Sequence, residues 1–127
     1  MQKNPVGWFE LPVSDMDRAE RFYSDFFGYE MSRKPEQGGV TMSWFPADME
    51  GYGATGSLVH GETYVPTSEG VVVYFTAPGG TVEAALVKAK EQGIRILTEL
   101  TPIGEYGFVA TILDSEGNRI AIHSREG

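Results

Sequence analysis

Two stretches of this chain, about 64 residues apart, carry the same order of sequence signals, and no other feature constrains the fold as much. Each opens with an extended apolar run, GWFELPV at 7–13 and GVVVYFT at 70–76, rich in β-branched or aromatic residues. A helix follows each run. In the first, from Asp15 to Phe27, Met16, Ala19, Tyr23 and Phe26 recur at helical spacing, and Phe22 and Phe27 widen the apolar stripe. Ser14 is the expected N-cap, Asp15 and Asp17 suit the positive end of the helix dipole, and Gly28 suits the left-handed residue past the end. In the second, Thr81 is the expected cap, Val82, Ala85, Leu86 and Ala89 share one face, and Gly93 is the stop. Three further strand-like runs come after each helix, at 29–34, 39–45 and 55–60 and again at 94–100, 108–113 and 119–124.

Both halves therefore read βαβββ. Sliding the chain by 64 residues lays Trp8 on Val72, Glu10 on Tyr74 and Phe22 on Leu86, with little residue identity between the copies. A long period occurring twice implies a duplicated module rather than a solenoid, which needs at least about three stacked repeats. The expected architecture is α+β, one domain over 1–127 made of modules at about 5–62 and 68–125 that share a core. Between strands, the Gly-, Pro- and acid-rich segments at 46–56 and 60–70 are candidate pocket rims, and DSEGN at 114–118 has the chemistry of a tight hairpin turn.

Composition narrows the function classes. A chain of 127 residues can bury roughly two thirds of its unfolded surface, which suits one sizeable core. Cysteine is absent, so disulfide frameworks, thiolate metal sites and cysteine nucleophiles are excluded. A net charge of -8 disfavours nucleic acid and anionic membranes as partners, and no apolar run reaches the roughly 20 residues of a membrane span. With no secretory or transit signal visible, the expected location is the cytoplasm and the expected partner a small molecule. No phosphate loop with its lysine and no GxSxG elbow is present.

The segments VSDMDRAERFYSDFFG and LDSEGNRIAIHS, set in the duplicated βαβββ pattern, resemble the vicinal oxygen chelate superfamily, which includes glyoxalase I, bleomycin-resistance proteins and extradiol dioxygenases. The resemblance covers essentially the whole chain. It implies that each module curls its four strands into half of an open, eight-stranded mixed sheet whose cavity holds a divalent metal in the metallo-enzymes. Those enzymes place His or Glu at four strand positions, which fall here on Trp8, Val72, a position near Ser57, and Ala121. None of these ligates a hard or borderline cation, so the expectation is a member with no metal site and no cofactor.

Strand alternation carries the argument from those positions to a site. If Trp8 faces the cavity, so do Glu10 and Pro12; the same parity gives Val72, Tyr74 and Thr76, and Ala121 with His123, while Met42 and Trp44 supply an aromatic wall. Such an apolar pocket with a few polar groups suits a hydrophobic or planar small ligand. Two classes of function stay open. One is a binding protein of the bleomycin-resistance type, which performs no chemistry. The other is a glyoxalase-like lyase or isomerase in which Glu10 abstracts a proton next to a carbonyl while Tyr74 and His123 stabilise the enolate, or in which Glu10, His60 or His123 recruits a metal in an unorthodox way. For Glu10 a structural or ligand-orienting role, and an outward-facing orientation, stand beside catalysis. Resistance proteins of this superfamily commonly pair two chains, so the resemblance also implies a homodimer.

Overall fold

Apolar spacing sets the helices, and the helices organise the sheets. In the computed structural model, which describes residues 4–48 and 50–127, α1 (Met16–Phe27) buries Met16, Ala19, Tyr23 and Phe26, and α2 (Val82–Glu91) buries Val82, Ala85, Leu86 and Ala89. Helix α1 ends at Gly28 (φ 79°), whose N–H donates to the Ser24 carbonyl. Helix α2 ends in a paired motif, with Gly93 N–H on the Lys90 carbonyl and Ile94 N–H on the Ala89 carbonyl. The cap of α1 differs from expectation by one residue. Asp15, in extended conformation, accepts from the Arg18 N–H at 3.0 Å, while the Ser14 N–H is itself a donor to Glu116.

The first module places β1 (Phe9–Pro12), β2 (Ser32–Arg33), β3 (Thr41–Trp44) and β4 (Gly56–His60) in one sheet of order β1-β4-β3-β2. The second places β5 (Val73–Thr76), β6 (Ile96–Pro102), β7 (Phe108–Leu113) and β8 (Arg119–Ser124) in the order β5-β8-β7-β6. In both, the first strand lies parallel to the last and the other pairs are antiparallel. The architecture is thus two helices and two open, four-stranded mixed sheets, and the two modules share the same strand order. Strand β2 is shorter than the sequence suggests, because Tyr29 leaves the sheet to stack on Phe27 (5.0 Å, 3°). Strand β6 starts and ends two residues later than the expected run and carries register shifts; as an edge strand it tolerates Pro102.

One core joins the modules. Phe9, Tyr23, Phe27, Tyr29, Phe45 and Phe75 pack ring against ring, with Tyr23 to Phe45 at 5.2 Å, Phe27 to Phe75 at 4.9 Å and Phe9 to Phe75 at 5.8 Å. Burying an aromatic side chain of this size contributes about 1.5–3 kcal/mol, and good ring geometry adds about 0.5–1.5 kcal/mol per pair.

A polar clamp completes the join. The β7–β8 turn reaches across to α1, where the Glu116 carboxylate accepts from the Ser14 and Asp15 N–H groups (2.8 and 2.9 Å) and from Arg18 through two nitrogens (2.7 and 2.9 Å). The Asn118 amide donates to the Pro12 carbonyl at 2.7 Å, and the buried Tyr23 hydroxyl donates to Asp114 at 2.7 Å. Burial alone would raise the Glu116 carboxyl, but the hydrogen bonds from Arg18, Asp15, Ser115 and Ser14 outweigh it and bring the pKa down to about 2. For Asp114 the balance runs the other way. Desolvation raises its pKa above the usual value despite bonds from Tyr23 and Asn118. On the outer side of α1, Glu20 accepts from Arg33 (2.8 and 3.0 Å) and Ser43 (2.6 Å), tying the helix to β2 and β3.

Candidate functional site

Alternation along the strands divides each sheet into a face packed on its helix and a face turned away from it. On β1, Leu11 is buried toward the core and Phe9 packs against it, so Glu10 and Pro12 occupy the other face. The register Glu10↔Ser57↔Trp44 makes one row across that face, and Pro12↔Val59↔Met42 makes the next. Trp8, one residue ahead of β1, meets Trp44 edge to face at 5.4 Å, and the Lys34 ammonium lies 4.3 Å from the Trp44 ring centroid. Both indoles remain 41% exposed. They pack on each other rather than into the core.

The second sheet presents the row Tyr74↔Ala121↔Thr111↔Thr98 and the row Thr76↔His123↔Val109. Tyr74 is 60% exposed, while Ala121 is fully buried at the floor of the face. Val72 precedes β5 by one residue and is half-buried. His123 is half-buried, and its Nε2 lies 2.7 Å from the Tyr106 carbonyl. A carbonyl only accepts, so Nε2 is the donor in this contact, and it is Nδ1 that faces other partners.

These positions bear on each candidate. Trp8, Glu10, Met42 and Trp44 belong to one sheet; Val72, Tyr74, Ala121 and His123 belong to the second module, with Tyr74 and His123 on adjacent strands. Glu10 is exposed, which is the outward-facing orientation, and Leu11 and Val13 take the buried positions of that segment. His60 and His123 lie on different faces of their own sheets. His60 has the parity of Leu58, on the helix side of β4, whereas His123 shares the parity of Ala121 on the opposite face of its own sheet. Among the described residues no group of three or more His, Asp or Glu is arranged to hold a metal ion.

Sequence reasoning identified Ser57 only as a lost ligand position. In the fold its hydroxyl is buried on the Glu10–Trp44 row and has no hydrogen-bond partner among the described residues. A concave region also exists that strand parity did not reveal. A cleft of about 380 Å³ runs between the β3–β4 loop and strand β5, walled by Phe9, Tyr29, Phe45 and Phe75, with Asp48, Tyr52 and Thr55 on the loop side. The expected rim at 46–56 does border it, apart from Met49, which lies outside the described residues. The Tyr29 hydroxyl is held above its usual pKa by burial and stays protonated at neutral pH. The aromatic walls were legible as core residues, but nothing in the sequence told that the core stays open at this end.

Two helices on two open, mixed β-sheets of equal strand order, each sheet leaving one face free, define a duplicated βαβββ protein of the kind built around a small-molecule cavity. The family model described as the Glyoxalase/Bleomycin resistance protein/Dioxygenase superfamily matches residues 6–122, and the chain belongs to that superfamily. Among solved structures it is similar to a glyoxylase/bleomycin resistance protein/dioxygenase domain from Frankia sp. EAN1pec (TM-score 0.75, 11% identity, 98% of this chain and 99% of that chain). It is also similar to TnmS3, an antibiotic binding protein from Streptomyces sp. CB03234 (TM-score 0.67, 20% identity, 98% of each chain). A third similar structure is glyoxalase I from Zea mays (TM-score 0.69, 20% identity, 94% of this chain and 44% of that chain). At these identities the likeness shows the fold. A comparison with curated proteins returns no match. No helix among the described residues is long and apolar enough to cross a membrane.

Proposed function

We propose that this protein binds a planar, largely apolar small molecule against the open sheet faces, without a metal and without chemistry, as a homodimer in which a second chain closes over those faces. The observation that carries the reading is the placement of Trp8, Trp44 and Tyr74, three large aromatic side chains left 41–60% exposed on faces turned away from the helices. Rigid aromatic surface of this kind binds flat ligands at small entropic cost. The unpaired Ser57 hydroxyl and the exposed Glu10 carboxylate on the Trp44 row, with His123 Nδ1 on the second sheet, give such a ligand a few polar contacts that fix its orientation. The similarity to an antibiotic binding protein supports a binding role for this fold.

Titration of the protein with a neutral planar dye such as Nile red, followed by tryptophan fluorescence, tests this. Saturable quenching that Trp44→Ala weakens at least about tenfold is the expected result, since losing the stacking and the apolar contact of one indole costs on the order of 1.5 kcal/mol or more. An unquenched titration overturns the proposal. Elemental analysis of protein purified without chelator is expected to show no stoichiometric metal; a bound equivalent would refute metal independence. Sedimentation is expected to show a species of twice 13.9 kDa, and a monomer alone would remove the dimer from the account.

A further inference from the structure

The two modules are related by the same strand order, so what one end of the join does can be compared with the other. At one end the β7–β8 turn folds onto the partner module, and Glu116, Asn118 and Asp114 fill the junction with hydrogen bonds to α1, Pro12 and Tyr23. At the other end the corresponding connection is the β3–β4 loop. Among the described residues its hydrogen bonds stay local: Gly51 and Glu50 N–H to Asp48, and the Thr55 hydroxyl to the Pro46 carbonyl at 2.7 Å. It makes none to α2 or to β5. The first turn of α2 is served instead by Thr81, Ser124 and the Gly127 carbonyl. Residue 89, the counterpart of Tyr23 when the helix caps Asp15 and Thr81 are aligned, is a fully buried alanine, so no phenol reaches across from α2. The junction that is filled at one end is therefore a cleft at the other.

We infer that this cleft between the modules is a second ligand site, which shares only Tyr74 and Thr76 with the open sheet faces, and that it takes a protonated amine carried on an aromatic or apolar body. The shape follows from its walls. Phe9, Tyr29, Phe45 and Phe75 enclose about 380 Å³, within the range of small-molecule pockets. The charge follows from its lining, in which, among the described residues, Asp48 is the single carboxylate and no Lys, Arg or His takes part. Aromatic faces carry negative electrostatic potential and attract a cation at close range, and Asp48 adds a formal counter-charge at the rim. The third wall is the outer edge of β5, which pairs only with β8 and so leaves unpaired backbone groups, the carbonyls among them being acceptors for ammonium protons. An anion would meet the same aromatic faces, the same carboxylate and a chain of net charge -8.

Three isosteric probes test the inference: 2-naphthylmethylammonium, 2-naphthalenemethanol and 2-naphthoate, followed by calorimetry and amide chemical shifts. The expected result is one site per chain, with the ammonium bound about tenfold or more above the alcohol, as one desolvated cation–π contact allows, and the carboxylate weakest. The largest shifts are expected at Thr55 and Val73 to Thr76, with the Trp8 and Trp44 indole signals unmoved. Asp48→Asn keeps the Oδ1 acceptor used by the Glu50 N–H and removes the charge, so it is expected to abolish the preference for the ammonium over the alcohol. Ala54→Trp, at an exposed lining position, is expected to block all three probes while leaving Nile red quenching intact. Equal binding of ammonium and carboxylate, an unchanged preference in Asp48→Asn, shifts centred on the two tryptophans, or no binding at millimolar probe would each overturn the site. Loss of Nile red quenching alone would count against the sheet-face reading and leave the cleft standing.

Discussion

Replacing Glu116 by alanine is the most informative test of how the two modules are held together. The substitution removes one carboxylate that accepts from two backbone N–H groups at the start of α1 and from both the Nε and one terminal nitrogen of Arg18. Loss of a helix-start acceptor costs typically about 1 kcal/mol. The Arg18 pair lies between the buried and exposed limits, because the Glu116 side chain is fully covered and that of Arg18 is 48% exposed. A pKa brought from 4.5 to about 2 sets a ceiling of about 3 kcal/mol for the interactions of the ionised carboxylate, and solvent screening on the arginine side reduces it to roughly half. Because the Ser14 and Asp15 bonds already contribute to that shift, the two figures overlap, and the expected loss is about 1.5–2 kcal/mol at pH 7, or about 5–10 °C in Tm for a domain of this size. Urea unfolding followed by circular dichroism measures it. The folded-state pKa is depressed, so the stabilisation is complete above pH 4.5 and is lost as pH falls toward about 2. Wild type and variant should therefore converge between pH 4.5 and 2.5. A difference below about 0.5 kcal/mol at pH 7, or one that is the same at pH 7 and pH 2.5, would refute the clamp as an electrostatic device.

Other outcomes follow from the same structure. Gly56→Ala places a Cβ on the Phe9 carbonyl oxygen and ring, so it should break the β1–β4 pairing and cost at least about 3 kcal/mol in urea unfolding. Gly107→Ala meets the Ser124 carbonyl at a φ of 110° and should destabilise by at least about 2 kcal/mol, whereas Gly38→Ala, with open space around its Cβ, should cost only the left-handed backbone strain of about 1 kcal/mol. Tyr23→Phe leaves Asp114 buried without its hydroxyl donor and should cost about 1–3 kcal/mol at neutral pH, with part of the loss recovered in acid as Asp114 is protonated. Glu10→Gln should change affinity for a planar ligand only a few-fold; a hundredfold loss of turnover on some substrate with binding intact would establish Glu10 as a catalytic base instead.

The helices and their order were legible because Met16, Ala19, Tyr23 and Phe26, and their counterparts in α2, repeat at a period that only a helix satisfies. The faces of Glu10, Trp44, Tyr74 and His123 were legible for a similar reason, since a strand has a period of two and its partners inherit the parity through the register. Three things were not. The exposure of Glu10 depends on what covers the face, which no local period encodes. The fate of DSEGN as a clamp on α1 depends on contacts about 100 residues away in sequence, between Glu116 and Ser14 or Arg18. The inter-module cleft is the failure of one loop to make the contacts its counterpart makes, and Phe9, Phe45 and Phe75 read the same in sequence whether the space between them is filled or open.

The claim that the open sheet faces form the binding surface is tested most directly by one titration. Tryptophan quenching by Nile red should saturate in the wild-type protein and fall at least about tenfold in affinity when Trp8 and Trp44 are exchanged one at a time for alanine, with the remaining indole as reporter and the fold unchanged by circular dichroism. Saturable binding of the same strength in both single variants would contradict it.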